Sequence, residues 1–364
     1  MNLGLFLMPS HPPERDLRAG QGWDLEMLRM ADELGYHEAW IGEHFTAPWE
    51  PNPAPDLLIA QALMQTRRIK LASGAHLLPY HHPAELACRV AFMDHLAQGR
   101  YMFGIGAGGL PSDSKLFQVE GLNREMTRES LDMILKIWES DGGFEHQGKF
   151  WKVNVPDPMM RTLRHHLKPF QKPHPPIGVA GMSPGSETLK LAGERGFIPM
   201  TLNLSSQYAA THWEAVLEGA DRTGRKPDRR NWRMVRETLV ADTDEEAYEA
   251  CINGAMGRMM RQYLLPLMTD VGMIQYMKDD PNMADEKLTP EYLFDHGWLV
   301  GSVKTVTQKL EEMYQSVGGF GTLLLLGFDY LDHPAPWVKS MRLMANEVLP
   351  RFMSSGIEQS SAAA

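Results

Sequence analysis

Apolar, strand-like segments alternate with helix-like segments along most of this chain of 364 residues. The first pair shows the pattern: NLGLFLM is short and almost continuously apolar, whereas WDLEMLRMADELGY carries apolar residues at helical spacing and stops near a glycine. Strands without polar alternation are typical of parallel sheets whose faces are covered by helices. These units recur about every 30 residues, which is the length of one strand, its helix and their connections.

Eight such strands predict a closed (β/α)8 TIM barrel rather than an open sheet. Their sequences are NLGLFLM, HEAWIGEH, IKLASGAHLL, RYMFGIGAGG, PPIGVAGM, FIPMTLNL, WRMVRETLVAD and GTLLLLGFD. The alternation breaks at about residues 140–175 and 254–297, and we expect both insertions to extend from the carboxyl-end face of the barrel as a lid or pocket wall. We predict a single barrel domain over residues 1–353 and a disordered tail over residues 354–364.

Composition narrows the class of protein further. No apolar run approaches the roughly 20 residues that cross a bilayer, and the amino terminus lacks a basic signal region, so we expect a soluble, cytoplasmic protein without a membrane partner. The net charge of -10 argues against a nucleic-acid surface. Cys88 and Cys251 lie far apart and outside any C-x-x-C motif, which fits a reducing compartment and excludes a cysteine-based zinc site.

In a barrel of this kind, residues at the carboxyl ends of the strands line one shared cavity. The candidates are Glu43 and His44 after the second strand, Gly74, Ala75 and His76 in the third, Gly104–Gly109 after the fourth, and Met182–Ser186 after the fifth. We therefore expect these four groups to converge on a single site.

The glycine-rich segment GIGAGG, residues 104–109, formally matches the dinucleotide fingerprint G-x-G-x-x-G. A Rossmann turn follows the first strand and opens directly into a helix. Here the glycines end the fourth strand, LPSDS follows, and the next helix is expected nearer Met126. The better interpretation is a bare backbone surface, including Gly106, that a flat ligand can approach closely.

The segment GMSPGSE, residues 181–187, places small residues between a strand and a helix. Backbone N–H groups with Ser183, Gly185 and Ser186 form a suitable cradle for a phosphate at the helix N-terminus. Ordinary N-capping by one of the serines is the alternative. Arg128, in MTRES, could supply the counter-charge, or it could be an exposed helical arginine.

Glu43 and His44 do not resemble a metal site, because adjacent side chains of a strand point to opposite faces and no third ligand stands nearby. We predict no metal. A buried histidine that is held by a carboxylate or a backbone group, and that donates a hydrogen bond or moves a proton, fits better. A purely structural histidine is the alternative. The alternation does not decide whether His76 points into the barrel.

Several of these segments resemble the bacterial luciferase-like flavin-dependent monooxygenase superfamily. The similarity covers most of the chain and is carried by EAWIGEHF, IKLASGAHLLPYHHP, LAQGRYMFGIGAGG, SPGSETLKLAGERGFIPM, GSVKTVTQKLEEMY and GTLLLLGFDY. The limonene- and diketocamphane-monooxygenase-like members are the most similar. The resemblance implies a TIM barrel that takes reduced FMN from a separate flavin reductase and, with O2, forms a C4a-(hydro)peroxyflavin. It further implies oxygenation of a small apolar substrate, such as a terpenoid, cyclic ketone or aldehyde, by a homodimer.

The resemblance also assigns roles to residues. His44 matches the catalytic histidine above the flavin, and the Gly74–Ala75 bond matches a cis non-prolyl peptide against the flavin ring. Where luciferases carry a Cys-Arg pair, this chain has Gly106 and Ala107, so light emission is not expected. The residues expected to bind the cofactor are Glu43, Gly74, Ala75, His76, Gly106, Arg128, Met182, Ser183, Gly185 and Ser186.

Two other functions remain open from the sequence. A deazaflavin-dependent oxidoreductase would share the barrel but transfer hydride without oxygen, and a non-catalytic flavin-binding barrel would have no substrate. Whether the protein binds deazaflavin or FMN distinguishes a deazaflavin-dependent oxidoreductase from a monooxygenase. The long insertions favour a substrate over mere flavin storage.

Overall fold

The computed structural model describes residues 1–202 and 204–357. Its strands are β1 (Asn2–Leu7), β2 (Glu38–Ile41), β3 (Lys70–Leu77), β4 (Tyr101–Gly106), β5 (Phe144–Gln147), β6 (Lys152–Val155), β7 (Ile177–Gly181), β8 (Ile198–Thr201), β9 (Arg233–Arg236), β10 (Thr238–Ala241), β11 (Leu299–Ser302) and β12 (Thr322–Leu326). Eight of them close a parallel barrel in the order β1-β12-β9-β8-β7-β4-β3-β2. The predicted TIM barrel is confirmed.

Helices connect the barrel strands. They are α1 (Leu17–Glu33), α2 (Pro55–Gln65), α3 (Pro83–Ala97), α4 (Pro111–Leu116), α5 (Asn123–Glu139), α6 (Glu187–Arg195), α7 (Ser206–Asp221), α8 (Asp244–Ile252), α9 (Ala255–Met259), α10 (Leu265–Asp270), α11 (Pro290–His296), α12 (Val303–Ser316), α13 (Ala335–Leu343) and α14 (Leu349–Ser354). A π-helical turn over Met260–Leu264 joins α9 to α10. Within the described ranges, no helix has the length and apolar character needed to span a membrane.

Two element boundaries differ from those expected. WRMVRETLVAD is not one strand: its first half is β9 in the barrel, whereas its second half is β10, which pairs with β11 outside it. Both halves are buried, so hydrophobicity alone did not show the break. A short helix, α4, begins at Pro111 directly after the glycines, where proline is well suited to the first turn. The helix expected near Met126 follows it as α5 and begins at Asn123.

A charged pair lies inside the barrel. The buried carboxylate of Glu38 accepts two hydrogen bonds of 2.9 Å from the guanidinium of Arg233 and one of 2.7 Å from the indole of Trp40. Arg233 lies on β9 and Glu38 on β2, so the pair crosses the barrel lumen. These bonds satisfy a carboxylate that would otherwise be costly to bury.

Glycines on the neighbouring strands make room for the Trp40 ring. A Cβ atom at Gly178 would lie 2.4 Å from that ring, and one at Gly74 would lie 2.8 Å from the Trp40 Cβ. At Gly104 the clash would be with the backbone, 1.9 Å from the Ser73 carbonyl oxygen. Gly104 is one of the β4 glycines that were expected to leave the backbone open to a ligand. It is therefore also needed for the packing of the barrel interior.

The two insertions start at different faces of the barrel. The segment 140–175 connects α5 to β7 and therefore starts at the amino-end face. Its hairpin, β5 with β6, then places Trp151 against His82 at the start of α3. The segment 254–297 follows β9 and lies over the carboxyl-end face. The hairpin thus returns to the carboxyl-end side, where α3 begins, and Phe150 and Trp151 pack beside Leu77 and Tyr80. That both insertions form a lid or pocket wall stays a prediction.

Part of the expected disordered tail is described. Ser354 is the last residue of α14, and the side chain of Ile357 packs partly buried against the hydrophobic core. The rest of the predicted tail, residues 358–364, lies outside the described residues.

Candidate active site

The carboxyl end of β3 carries the cis peptide that the family resemblance implied, between Gly74 and Ala75. The register between β3 and β4 shifts here, between Ser73 and His76. The Ser73 hydroxyl bridges the irregularity, since it accepts from the N–H of Gly104 at 3.1 Å and donates to its carbonyl at 3.0 Å. The N–H and carbonyl of Gly104, opposite the irregularity, are therefore hydrogen-bonded although the pairing of the strands is interrupted.

Gly106, at the end of β4, lies beside this cis peptide. A Cβ atom at Gly106 would lie 3.3 Å from the Cβ of Ala75 and 3.0 Å from the Leu77 side chain. The two strand ends thus form one surface of small groups at the barrel mouth. Such a surface lets a planar ligand approach the backbone closely.

The buried carboxylate of Glu43 braces the end of β3. It accepts hydrogen bonds from the backbone N–H of Leu77 at 2.6 Å and from the His81 ring at 2.8 Å. Arg89 donates to Nδ1 of His81 at 3.3 Å, so the neutral ring carries its proton on Nε2 and donates it to Glu43. Glu43 was expected among the cofactor-binding residues, but its contacts hold the strand that carries the cis peptide.

His76 lies on the side of β3 that faces the helices, and its assignment as a cofactor-binding residue stays a prediction. Three residue steps on β3, from Ser73 to His76, oppose only two on β4, from Phe103 to Ile105. This extra residue puts His76 on the same side as Phe103, whose ring is 6.1 Å away and packs against Trp138 of α5. His76 is therefore buried between the strands and the helices.

Glu43, His76 and His81 lie close enough for a metal site, with one ligand atom of each within 4.8 Å of the others. Their hydrogen bonds argue for another role, because the His81 Nε2 proton points at Glu43 and the Arg89 cation lies on the opposite side of that ring. Burial, with smaller effects of His81 and Arg89, lowers the pKa of His76 well below its usual value. Glu43 and His81 form a hydrogen-bonded brace beside a neutral His76.

His44 is held by two carboxylates, neither of which is its neighbour Glu43. Its Nδ1 lies 3.2 Å from Asp113 of α4, and its Nε2 lies 3.4 Å from Glu50. Burial by itself would raise the pKa of Asp113, but hydrogen bonds from His44, Thr46 and a backbone N–H lower it. Asp113 is therefore ionised, and His44 donates to it from Nδ1.

Glu50 has a different environment from Asp113. It is buried, and burial raises the pKa of its carboxyl group. Its Oε2 accepts a 2.8 Å hydrogen bond from the hydroxyl of Tyr263, which belongs to the second insertion. Burial alone would lower the pKa of His44, but hydrogen bonding to Asp113 and the charges of its acidic neighbours raise it. The arrangement can hold or move one proton at Nε2 of His44.

Sequence reasoning missed Asp113, Glu50 and Tyr263. Glu50 ends the segment IGEHFTAPWE, and Asp113 lies in LPSDS directly after the glycines, so an acidic residue near each strand end was a visible signal. For Tyr263, which lies more than 200 residues from Glu50, the sequence carried no signal of the contact.

The loop after β7, where the sequence predicts a phosphate cradle, leads into α6. The Ser186 hydroxyl donates to Thr188 at 2.8 Å, since the Thr188 hydroxyl itself donates to the Ala180 carbonyl at 2.7 Å. In this part of the chain the Ser186 side chain accepts no hydrogen bond from a backbone N–H of the helix, so the N-capping alternative is not observed for it. Gly185 has a φ of 61°, which favours glycine. First-turn N–H groups of α6 are thus left without a side-chain cap and can bind an anion.

The buried side chain of His212 is hydrogen-bonded to this loop. Trp232 donates to the Thr201 hydroxyl at 3.0 Å, and Thr201 lies 2.9 Å from Nδ1 of His212. Since Nδ1 accepts from Thr201, the ring carries its proton on Nε2 and donates it to the Ser183 carbonyl at 3.1 Å. Burial lowers the pKa of His212 to about 4, so the ring is neutral near pH 7.

Arg128 is exposed and forms no hydrogen bond to this loop within the described residues. It lies one turn before Asp132 on α5, and Asp132 pairs with Arg195 of α6 at 2.9 Å. Residues four apart share a helix face, so Arg128 lies on the side of α5 toward α6, nearer the start of that helix. Met182 and Ser183 are half-buried beside the loop.

A TIM barrel with a surface of small residues, an uncapped helix start and a carboxylate-held histidine at its strand ends fits a flavin-type oxidoreductase. The sequence model of the luciferase-like monooxygenase family matches residues 1–319. The chain belongs to this family, as predicted.

Individual relatives extend over almost the whole chain. It is 36% identical to 3,6-diketocamphane 1,6-monooxygenase of Pseudomonas putida, covering 97% of this chain and 98% of the relative. Limonene 1,2-monooxygenase of Rhodococcus erythropolis is 27% identical over 97% of this chain and 87% of its own length. The solved structure of the oxygenating constituent of 3,6-diketocamphane monooxygenase from P. putida, a type II Baeyer–Villiger monooxygenase in complex with FMN, has a TM-score of 0.90 at 36% identity. This alignment covers 96% of this chain and 98% of that one.

Proposed function

We infer that this chain is an FMN-dependent monooxygenase, and we propose that it inserts one oxygen atom of O2 beside the carbonyl of a small apolar cyclic ketone. The observation that carries the proposal is the 36% identity, over nearly full length, to a Baeyer–Villiger monooxygenase whose structure contains FMN. Two 2,5-diketocamphane 1,2-monooxygenases of Pseudomonas putida, at 31% and 32% identity, support a bicyclic terpenoid ketone as the substrate class.

The residues at the barrel mouth fit reduced FMN. The surface of small residues formed by Gly74, Ala75 and Gly106 suits the flat ring system of the flavin. The loop of Ser183–Ser186, with first-turn N–H groups of α6 that no side chain caps, suits the phosphate, and Arg128 is placed to add a positive charge. When bound, reduced FMN supplies the activation of O2.

His44 is the proposed catalytic residue. Its Nδ1 proton is held by Asp113, which leaves Nε2 as the atom that gives or accepts a proton. The insertion 254–297 shields the site from water, which would otherwise divert the activated oxygen to hydrogen peroxide. Its buried methionines, among them Met256, Met259 and Met260, suit an apolar substrate.

We further propose a separate flavin reductase, a homodimer and a cytoplasmic location. The oxygenase component of flavin-dependent trigonelline monooxygenase, 26% identical over 92% of this chain, supports a division of labour between oxygenase and reductase. Large apolar side chains exposed on the neighbouring helices α2 and α3 support a dimer face: they are Leu57, Met64, Phe92 and Leu96. The two free cysteines suit a reducing compartment.

The deciding experiment combines anaerobic binding of reduced FMN with turnover of a bicyclic diketone under 18O2. We expect saturable binding and a lactone that carries one 18O atom. Reduced deazaflavin serves as the competing cofactor. A protein that binds reduced deazaflavin but not reduced FMN, or that consumes reduced FMN and O2 without forming labelled lactone from any cyclic ketone tested, would contradict the proposal.

A second prediction concerns the cradle. His212→Ala removes the donor that holds the Ser183 carbonyl, so we expect FMN to bind about tenfold more weakly, the equivalent of one lost hydrogen bond. Riboflavin, which lacks the phosphate, should bind as it does to the parent protein. His212→Gln keeps an N–H near the position of Nε2 and should restore most of the FMN affinity. Equal weakening of FMN and riboflavin would show that His212 does not act through the phosphate cradle.

A further inference from the structure

The second insertion reaches the proposed catalytic histidine through a single carboxyl group. We propose that Glu50 holds the proton that replenishes Nε2 of His44, and that Tyr263 positions Glu50 for this exchange. The proposal rests on the proposed function in that it takes His44 to be the acid–base group of the reaction.

The loop after β2 folds back on itself to bring the two groups together. The N–H of His44 donates to the carbonyl of Asn52 at 3.1 Å, and the N–H of Glu50 donates to the carbonyl of Ala47 at 2.9 Å. These bonds place Oε2 of Glu50 3.4 Å from Nε2 of His44, with the Glu50 side chain only 7% exposed. Because backbone hydrogen bonds shape this loop, the short distance between Glu50 and His44 does not depend on a side-chain rotamer alone.

The two carboxyl groups beside His44 are not equivalent. Asp113 accepts from Nδ1 of His44, from the N–H of Phe45 at 3.2 Å and from the Thr46 hydroxyl. Glu50 accepts from the Tyr263 hydroxyl alone among the hydrogen bonds found in the described residues. A carboxylate with more donors stays ionised, whereas one that is buried with few donors holds a proton more readily. Asp113 is thus the fixed anion, and Glu50 is the group able to exchange a proton.

The proton can therefore move without a change in net charge. In one state Asp113 is ionised, His44 is neutral and Glu50 is a carboxylic acid; in the other Asp113 and Glu50 are ionised and His44 is an imidazolium. The three groups carry one negative charge in total in both states. In the reaction the Glu50 proton moves to Nε2, and Nε2 then gives it to the reacting oxygen. The Tyr263 hydroxyl stabilises the Glu50 carboxylate that is left until a proton from water restores the acid.

Tyr263 links this exchange to the insertion over the barrel mouth. It lies on the π-helical turn between α9 and α10, and such turns are frequent at functional sites. Its ring stacks on Trp49 with centroids 6.0 Å apart and planes 12° apart, and the Arg258 guanidinium lies 5.7 Å from the Trp49 ring centroid. The hydroxyl reaches Glu50 because the 254–297 segment is seated on the loop after β2.

Three variants test the proposal. Glu50→Gln keeps the shape but holds no exchangeable acid proton, and Tyr263→Phe removes only the hydroxyl while it keeps the ring on Trp49. Tyr292→Phe is the matched control, because Tyr292 belongs to the same insertion but its hydroxyl accepts from the N–H of Asp279.

The first readout is the pKa of His44, measured in the ligand-free protein by NMR of 15N-labelled histidine. The charged groups that face His44 are Asp113, Glu50 and Glu43, and those that face Glu50 are His44, Asp113 and Tyr263. Glu50→Gln removes one acidic neighbour, so we expect the His44 pKa to fall by about one unit. Tyr263→Phe should lower it by less, and Tyr292→Phe should leave it unchanged.

The second readout is lactone formed per reduced FMN consumed, with hydrogen peroxide measured in parallel. We expect Glu50→Gln to reduce the rate of lactone formation at least about tenfold, with the affinity for reduced FMN within about twofold of the parent. An unchanged His44 pKa or an unchanged lactone rate in Glu50→Gln would overturn the proposal, as would an equal loss in Tyr292→Phe. If the parent protein forms no lactone, the proposed function fails, and the His44 titration reports separately on whether the proton-sharing pair exists.

Discussion

Replacing His44 with asparagine is expected to lower lactone formation at least about a hundredfold, the usual contribution of a general acid–base residue. The amide nitrogen of asparagine can take the place of Nδ1 and keep the hydrogen bond to Asp113, so the loop is expected to stay in place. Asparagine cannot give or accept a proton as imidazole does, so reduced FMN and O2 should be consumed with hydrogen peroxide as the main product. Product analysis and peroxide assay in the same reaction measure both effects.

A control separates this loss from a general effect of removing a histidine. His95 lies near the exposed end of α3, where its ring bonds the carbonyl of Lys168, so His95→Asn should leave both yields unchanged. Lactone and peroxide yields in His44→Asn equal to those of the parent would rule out a role of this residue in proton transfer.

The largest expected effect on stability comes from the charged pair inside the barrel. Glu38→Gln leaves the Arg233 cation buried without its counter-charge, and breaking such a pair costs about 3–5 kcal/mol. Urea unfolding at pH 7 measures the change. Glu125→Gln, which removes one partner of an exposed pair with Lys149, should change stability little, because exposed ion pairs contribute little.

The buried Glu38–Arg233 pair also makes the stability of the folded protein depend on pH. Burial by itself would raise the pKa of Glu38, but hydrogen bonds from His37, the Arg233 charge and further hydrogen bonds lower it from 4.5 to about 2. The stabilisation is therefore complete above pH 4.5 and is lost as the pH falls toward 2, and it amounts to about 3 kcal/mol. We expect the difference in unfolding free energy between the parent and Glu38→Gln to shrink between pH 5 and pH 3. A constant difference across this range would contradict the assignment.

The site shows where sequence reasoning succeeded. Glu43–His44, Gly74–Ala75, Gly106 and the loop of residues 182–186 were grouped because each follows a barrel strand, and parallel strands end at the same face. The same reasoning left open which way His76 points, because one extra residue in β3 reverses the alternation of side chains beyond the cis bond. A bulge leaves no sign in hydrophobicity.

The sequence by itself determined the barrel, its family and the position of the candidate site, because these depend on local periodicity and on motifs that each lie within one segment. Only the tertiary structure decided which groups surround His44. Asp113, Glu50 and Tyr263 come from three separate segments and meet His44 because the closed barrel and the seated insertion bring them there. Contacts between distant segments depend on how loops pack over the barrel mouth, and local propensity carries no information about that packing.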